Sequence, residues 1–455
     1  MDLDQISTRL SQLFSHPRWI ILNGVSANTQ VLIDQLREWG GTEFLVVAGE
    51  EGVGTQPEAE TVFMPSPSGT VMEGFRRFAE KVDNPPDHVR EAVDAYDADG
   101  TARSLGPVFG VPASFLGRHL YGTRPEAWEA FEDKTVADEI WDEAAIPRAP
   151  SELVALADAP FAASRLAGAL GTVWAADNTN GWHGGGEMTR WVTDDDTAQQ
   201  VVADFTDRTR TVRVMPFLEG VPCSIHGVVT GDGVAALRPV ELLILRRLDQ
   251  KGFVYGGVAN TWDPPAAVRE EMRQAARSVG EVLRRRMEYR GPFSIDGVAT
   301  ADGFRPTELN PRFSVGYGIQ ANAVSELHGI FFVRAIVEGD LDPVADDLEQ
   351  LIVTAADANR GVRVGFPVEG VHERRSVRLV PRDAALVEEP DGDLLELGPS
   401  PAGSFLFWSV DPDRFDKGAR MAPYAAAIAD FARASWNAAI PPCEPAPDVF
   451  FDEMS

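Results

Sequence analysis

The amino-acid sequence predicts a multidomain protein of mixed α/β and α+β architecture. Three observations carry this reading. The 455 residues make about three domains at roughly 150 residues each. Residues 18–48 run strand, helix, strand, the order of a parallel α/β unit. Residues 211–260 are dominated by strand signals, and further on Ala301-Asp302-Gly303 marks a hairpin turn. The expected division is an N-terminal α/β domain over 1–120, a central domain over 121–330 and an α+β extension over 331–455.

In the first domain, 18–25 reads as a buried strand, 28–39 as a helix carrying Val31, Leu32, Ile33 and Leu36, and 44–48 as a second buried strand. Thr123 at an N-cap, with Glu126 three residues on and Pro125 in the first turn, predicts a helix that ends before Ile146-Pro147. A second helix is expected over 161–170, then a strand over 171–175 and a glycine-rich loop over 177–186. Asp263 is expected to cap a helix over 264–288 with Val268, Met272, Ala276, Val279 and Leu283 on one stripe. Strands over 292–299 and 304–309 form the hairpin. The tail carries helices near 328–337 and 419–439 and strands near 375–380 and 404–410.

Composition narrows the partners. Lys+Arg is 41 against 70 Asp+Glu, a net charge of −29, so the surface repels nucleic acid and anionic lipid. No apolar run is long enough to span a bilayer, and the opening Met1-Asp2-Leu3-Asp4 has no signal-like basic region. Two cysteines exclude a disulfide scaffold and fit a cytoplasmic protein. Cys223 lacks the companions of a catalytic thiol and reads as a small buried residue. The N-terminal strand–turn–helix lacks Gly-x-Gly-x-x-Gly, which argues against a nicotinamide dinucleotide.

The chemically informative segment is Gly291 to Gly297 followed by Thr307-Glu308-Leu309-Asn310-Pro311-Arg312. Residues i and i+2 of a strand share a face, so Glu308 and Asn310 point one way, with Arg312 just beyond. Asp296 lies across the hairpin from Glu308. Two carboxylates and an amide oxygen form a hard-oxygen set suited to Mg²⁺, and Arg312 is placed to hold a phosphoryl group or oxyanion.

This Asp-x11-Glu-x-Asn-Pro-Arg pattern resembles the metal and phosphate motif of the ATP-grasp superfamily of carboxylate–amine ligases. The resemblance covers about 120–325 and implies a two-lobed ATP-grasp domain behind an α/β domain. Lys134, opening a helix, is similar to the family's phosphate-approaching lysine. The loop His183-Gly184-Gly185-Gly186 resembles the loop that closes over the phosphates, and Met215-Pro216-Phe217-Leu218-Glu219-Gly220 resembles the segment that holds adenine. Glu219 is the candidate for the ribose contact. The layout is similar to that of stand-alone amino-acid and peptide ligases, the pheganomycin type among them.

Two departures stand out. The family's second lysine is missing from the strand Gly171 to Asp177, with Arg165 and Arg190 the nearest cations in sequence, and no ribose-binding Glu follows Gly220. The resemblance implies ATP and Mg²⁺ (or Mn²⁺) as cofactors, small-molecule carboxylate and amine substrates, and no nucleic-acid or membrane partner. Arg238, Glu241 and Tyr255 are candidate substrate contacts. The oligomeric state stays open, a homodimer being one option. The alternatives are a carboxylate kinase-like ADP-forming enzyme and a catalytically inactive nucleotide binder.

Overall fold

A computed structural model describes residues 1–27, 29–65, 69–181, 183–370, 373–382, 385–400 and 403–450. The chain is an α/β and α+β multidomain protein, as the sequence predicts. Strands Arg18–Val25, Glu43–Glu50, Glu60–Phe63 and Arg103–Leu105 form a parallel N-terminal sheet in the order 3-2-1-4. The first two are near-continuous apolar runs because both faces are covered. Helices Leu3–Leu13 and Gln30–Glu38 pack Ile6, Leu10, Ile33 and Leu36 on one side, and Val71–Asp83 and Asp87–Tyr96 pack Phe78, Val82, Val89 and Val93 on the other.

A small four-stranded sheet follows, ordered Glu152–Ala155, Thr211–Pro216, Thr172–Ala176 and Thr189–Val192. The helices Ala159–Leu166 and Asp195–Phe205 cover one face, against which Trp174 and Ala176 are fully buried. Val173 and Ala175 alternate to the other face, beside their cross-strand partners Met215 and Arg213.

The largest sheet has twelve strands among the described residues. It opens with the hairpin Gly291–Thr300 and Gly303–Asn310, continues through Val221–Val229, Val240–Arg247 and Phe253–Ala259, and passes into the tail strands Val362–Val368 and Gly403–Ser409. The sheet therefore runs unbroken across position 330. The long helix Ala266–Met287 lies on it, and the stripe Val268, Met272, Ala276, Val279 and Leu283 is buried as expected. Fully burying one large apolar side chain of this kind stabilises by roughly 1.5–3 kcal/mol.

Two local expectations are corrected. Residues Glu126–Glu132 form a 3₁₀ turn and only Ala137–Glu143 is α-helical. The Thr123 hydroxyl donates to the Pro107 carbonyl at 3.2 Å and caps nothing. Asp263 likewise does not cap the long helix, which starts after Pro265. Its carboxylate pairs with Arg238, Arg269 and Arg360 instead, and three guanidinium partners outweigh one capping bond.

Candidate active site

The hairpin carries the site. Its register places Asp296 opposite Glu308 and Ser294 opposite Asn310, with an irregularity just after Asp296. On the other side Ser224 and His226 of the neighbouring strand pair with Asp296 and Ser294. One face of three strands thus presents Ser224, Asp296, Glu308 and Asn310, while Cys223, Ile225, Phe293, Ile295 and Leu309 point into the core under the long helix.

Lys134 lies in the turn before the helix Ala137–Glu143 and is 3% exposed. Its ammonium donates to Glu308 Oε1 at 2.8 Å and to the His183 carbonyl at 3.4 Å. It thereby ties the acidic hairpin to the glycine-rich loop. Asn310 donates its Nδ2 to Asp296 Oδ2 at 3.1 Å and accepts at Oδ1 from Arg312 Nη2 at 3.0 Å. The amide thus shows its nitrogen, not its oxygen, to Asp296. Burial and the Glu308 charge push the Asp296 carboxyl up to about 6, opposed by Ser224, Arg312 and Asn310. A carboxyl held up by a facing carboxylate is one that a cation would relieve. Among the described residues no three His, Cys, Asp or Glu side chains converge as a metal cluster. Two carboxylates plus an amide match the sparse protein ligation of Mg²⁺, which fills its remaining positions with water and phosphate.

Arg312 is held on three sides. Its Nε lies 2.8 Å from Glu132 Oε1, Nη2 reaches Asn310, and its guanidinium lies 4.7 Å from the Phe109 ring centroid. Arg124 donates to the same Glu132 oxygen at 2.5 Å.

The glycine loop docks on the N-terminal domain. Gly185 and Gly186 have φ of +60° and +74°, conformations that side chains rarely adopt, and a Cβ at Gly186 would meet nothing within 4 Å. Glu187 receives both Arg76 nitrogens, at 2.9 and 3.0 Å, from the helix Val71–Asp83. Partly buried, Glu187 is nonetheless lowered to about 2 by His183 and Arg76. His183 is 7% exposed and neither ring nitrogen makes a hydrogen bond among the described residues. Its Nδ1 lies 3.7 Å from Glu187 Oε2.

The interlobe segment leaves the small sheet at Met215. Phe217 donates its N–H to the Gly171 carbonyl at 3.0 Å and stacks on Trp191, ring centroids 4.4 Å apart. Phe253 continues the stack, 6.2 Å from Phe217. Arg246 lies over Phe217 at 5.0 Å and pairs with Glu219 at 2.6 Å. Lys251 lies over Trp191 at 4.5 Å.

The structure does not bring Arg238 and Glu241 into this cluster. Arg238, 2% exposed, pairs with Asp263 and Asp357 and donates to the Asn260 and Trp262 carbonyls at 3.2 and 3.0 Å. Glu241 is fully buried against Arg420 and the Met421 amide, at 2.8 and 2.6 Å, and burial raises its carboxyl. Tyr255 stays 42% exposed. Arg165 and Arg190 pair with Glu152 and Asp204.

Sequence reasoning missed Arg213. It is the cross-strand neighbour of Ala175, 1% exposed, bound to Asp138 Oδ1 at 2.6 Å and to the Thr307 carbonyl at 3.2 Å. Its position two residues before Met215 on one strand was the available signal. It also missed Glu132 and Arg76, which no spacing rule marks.

No known family profile and no curated protein matches the chain. Among solved structures, the chain is similar to an L-amino acid ligase from Bacillus licheniformis at 14% identity, over 88% of this chain and 95% of that one, TM-score 0.44. It is also similar to a biotin carboxylase–β,γ-ATP complex from Campylobacter jejuni at 14% identity, over 95% and 94%, TM-score 0.47. A third is the ATP complex of carboxyaminoimidazole ribonucleotide synthase from Aspergillus clavatus, at 12% identity over 87% and 94%, TM-score 0.47.

Proposed function

We propose that this chain is an ATP-dependent, ADP-forming carboxylate–amine ligase of the ATP-grasp kind, joining two small molecules through an acyl phosphate. One observation carries the reading. A single hairpin face presents Asp296, Glu308 and Asn310, flanked by Lys134 at one end and Arg312 at the other. Hard oxygens between two cations are what a metal–triphosphate needs.

In this reading Asp296, Glu308 and Asn310 would hold Mg²⁺, which would supply neutralisation of phosphate charge. The chain's own groups do the rest. Lys134 exchanges its contact with Glu308 for a phosphate oxygen. Arg312 holds the transferring phosphoryl group and then the oxyanion formed when the amine attacks; one such contact is typically worth about 3–4 kcal/mol. Bare N–H groups of Gly184, Gly185 and Gly186 cover the phosphates, and the loop keeps water from an acyl phosphate that would otherwise hydrolyse. Met215, Phe217 and Glu219 line the base and ribose side. Tyr255 is the substrate-side contact. An amino acid is the expected substrate on at least one side, and catalysis consists of positioning and charge neutralisation.

A second reading, a nucleotide binder without ligase activity, is favoured by one observation. Val173 and Ala175, on the face that Arg213 and Met215 share, carry no charge. The two readings separate on ADP release from Mg-ATP in the presence of an acid and an amine. A ligase requires both compounds, a carboxylate kinase only the acid, and a binder releases none.

A further inference from the structure

We propose that Glu132 is the positioning residue that presets the Arg312 guanidinium for a terminal phosphoryl group. The proposal rests on the nucleotide reading above. Glu132 is 2% exposed and ends the 3₁₀ turn Glu126–Glu132. Its Oε1 accepts from Arg124 Nη1 at 2.5 Å and lies 2.8 Å from Arg312 Nε, an ion-pair contact without hydrogen-bond alignment. Its Oε2 has no hydrogen-bond partner among the described residues.

Three constraints together set the plane of Arg312. The Glu132 charge draws the Nε edge to 2.8 Å as an ion pair, Asn310 Oδ1 fixes one end at 3.0 Å, and the Phe109 ring lies against the group at 4.7 Å. Arg124 completes the frame. It shares the Glu132 oxygen, pairs with Glu129 at 3.2 Å and lies 6.0 Å from the same Phe109 ring. A planar fork that is already oriented loses less freedom when it meets an anion. Two residues further on, Lys134 grips Glu308. One short segment, 132–134, therefore sets both flanking cations of the hairpin.

The test separates positioning from simple gluing. Dissociation constants for Mg-ADP and for a Mg-bound, non-hydrolysable ATP analogue are measured by calorimetry. The proteins are wild type, Glu132→Gln, Glu132→Asp, Arg312→Gln and the Glu132→Gln/Arg312→Gln double variant. Circular dichroism checks folding, and Glu132→Asp keeps the charge should Glu132→Gln unfold. Wild type is expected to prefer the triphosphate. Both Glu132 variants lose about tenfold of that preference, with Mg-ADP affinity within about twofold of wild type, since one charge-assisted contact is worth about a factor of ten or more. The double variant is no worse than Arg312→Gln, the signature of two residues acting as one unit. Folded Glu132 variants that keep the full preference overturn the proposal, as does a double variant whose loss is the product of the two single losses. A wild type that binds Mg-ADP without triphosphate preference overturns it too. A wild type that binds neither nucleotide overturns the nucleotide reading itself.

Discussion

Replacing Lys134 with Met should move metal and nucleotide affinity in opposite directions. In the structure the ammonium already occupies Glu308 Oε1, at 2.8 Å, where a metal ion would bind. At that distance two unit charges interact by roughly 6 kcal/mol at an effective dielectric of 20, before desolvation is subtracted. Lys134 is buried at 3%, but the Glu308 side chain is 24% exposed, so the pair falls between surface and buried cases. Surface pairs are worth about 0–1 kcal/mol and breaking buried ones costs about 3–5, so about 2 kcal/mol is expected, or roughly thirtyfold. Lys134→Met removes the competing cation and leaves Glu308 facing Asp296 across the hairpin. Mn²⁺ alone, followed by its electron paramagnetic resonance signal, should then bind about ten- to thirtyfold more tightly. A Mg-bound ATP analogue should bind about thirtyfold more weakly, because its phosphates lose their cation. The ligand-free variant should unfold about 2 kcal/mol more easily in urea, with saturating Mn²⁺ restoring most of the loss. Unchanged or weaker Mn²⁺ binding in a folded variant would refute the claim that Lys134 and the metal compete for Glu308.

Three further outcomes follow from the geometry. Burial lowers the His226 imidazole from 6.5 to about 3, so it stays neutral in the folded chain while the unfolded chain takes up a proton below pH 6.5. Stability is thus complete above pH 6.5 and falls as pH drops toward 3, with about 2 kcal/mol lost by pH 5 at 1.36 kcal/mol per unit, and His226→Asn should flatten that part of a urea-unfolding pH series. Both cysteines are buried, with thiols raised by burial, Cys443 to about 11; a disulfide reagent should label neither until denaturant is added, and rapid labelling of the native protein would contradict the packing. Glu187→Gln removes the charge partner of Arg76 and should raise amide hydrogen exchange at Gly184 to Glu187 about fivefold, as loss of a part-exposed pair worth about 1 kcal/mol implies. Unchanged exchange there would show that other contacts hold the loop.

Much of the candidate site was legible in the sequence because it lies on one hairpin. Strand alternation puts Glu308 and Asn310 on one face, and the hairpin register brings Asp296 opposite Glu308. The glycine loop and the stripe of the long helix were readable for the same reason, as local patterns with a fixed period. What stayed hidden is long-range. Glu132 lies 180 residues from Arg312, as their numbers show, and only the folded chain brings the two together. Arg76 reaches Glu187 over a separation of 111 residues. Arg238 and Glu241 looked like cleft charges from their place after a turn, yet each found partners in other segments, Asp263 and Asp357 for one and Arg420 for the other. The tail also could not be read as part of the large sheet, because the pairing of Phe253–Ala259 with Val362–Val368 depends on strand edges that no single segment encodes. Thr123 shows the same limit at short range: a capping pattern was present, and the hydroxyl went to Pro107.

The central claim is that the hairpin face holds a metal–triphosphate for acyl transfer to an amine. The most direct measurement is ADP release from Mg-ATP by the purified protein, with carboxylates and amines, amino acids first, supplied singly and in pairs. Glu308→Ala is run beside it. The account predicts ADP only when one acid and one amine are present together, a product whose mass equals their sum less one water, and no release from Glu308→Ala. ADP release that needs no amine, or that survives in Glu308→Ala, would contradict it.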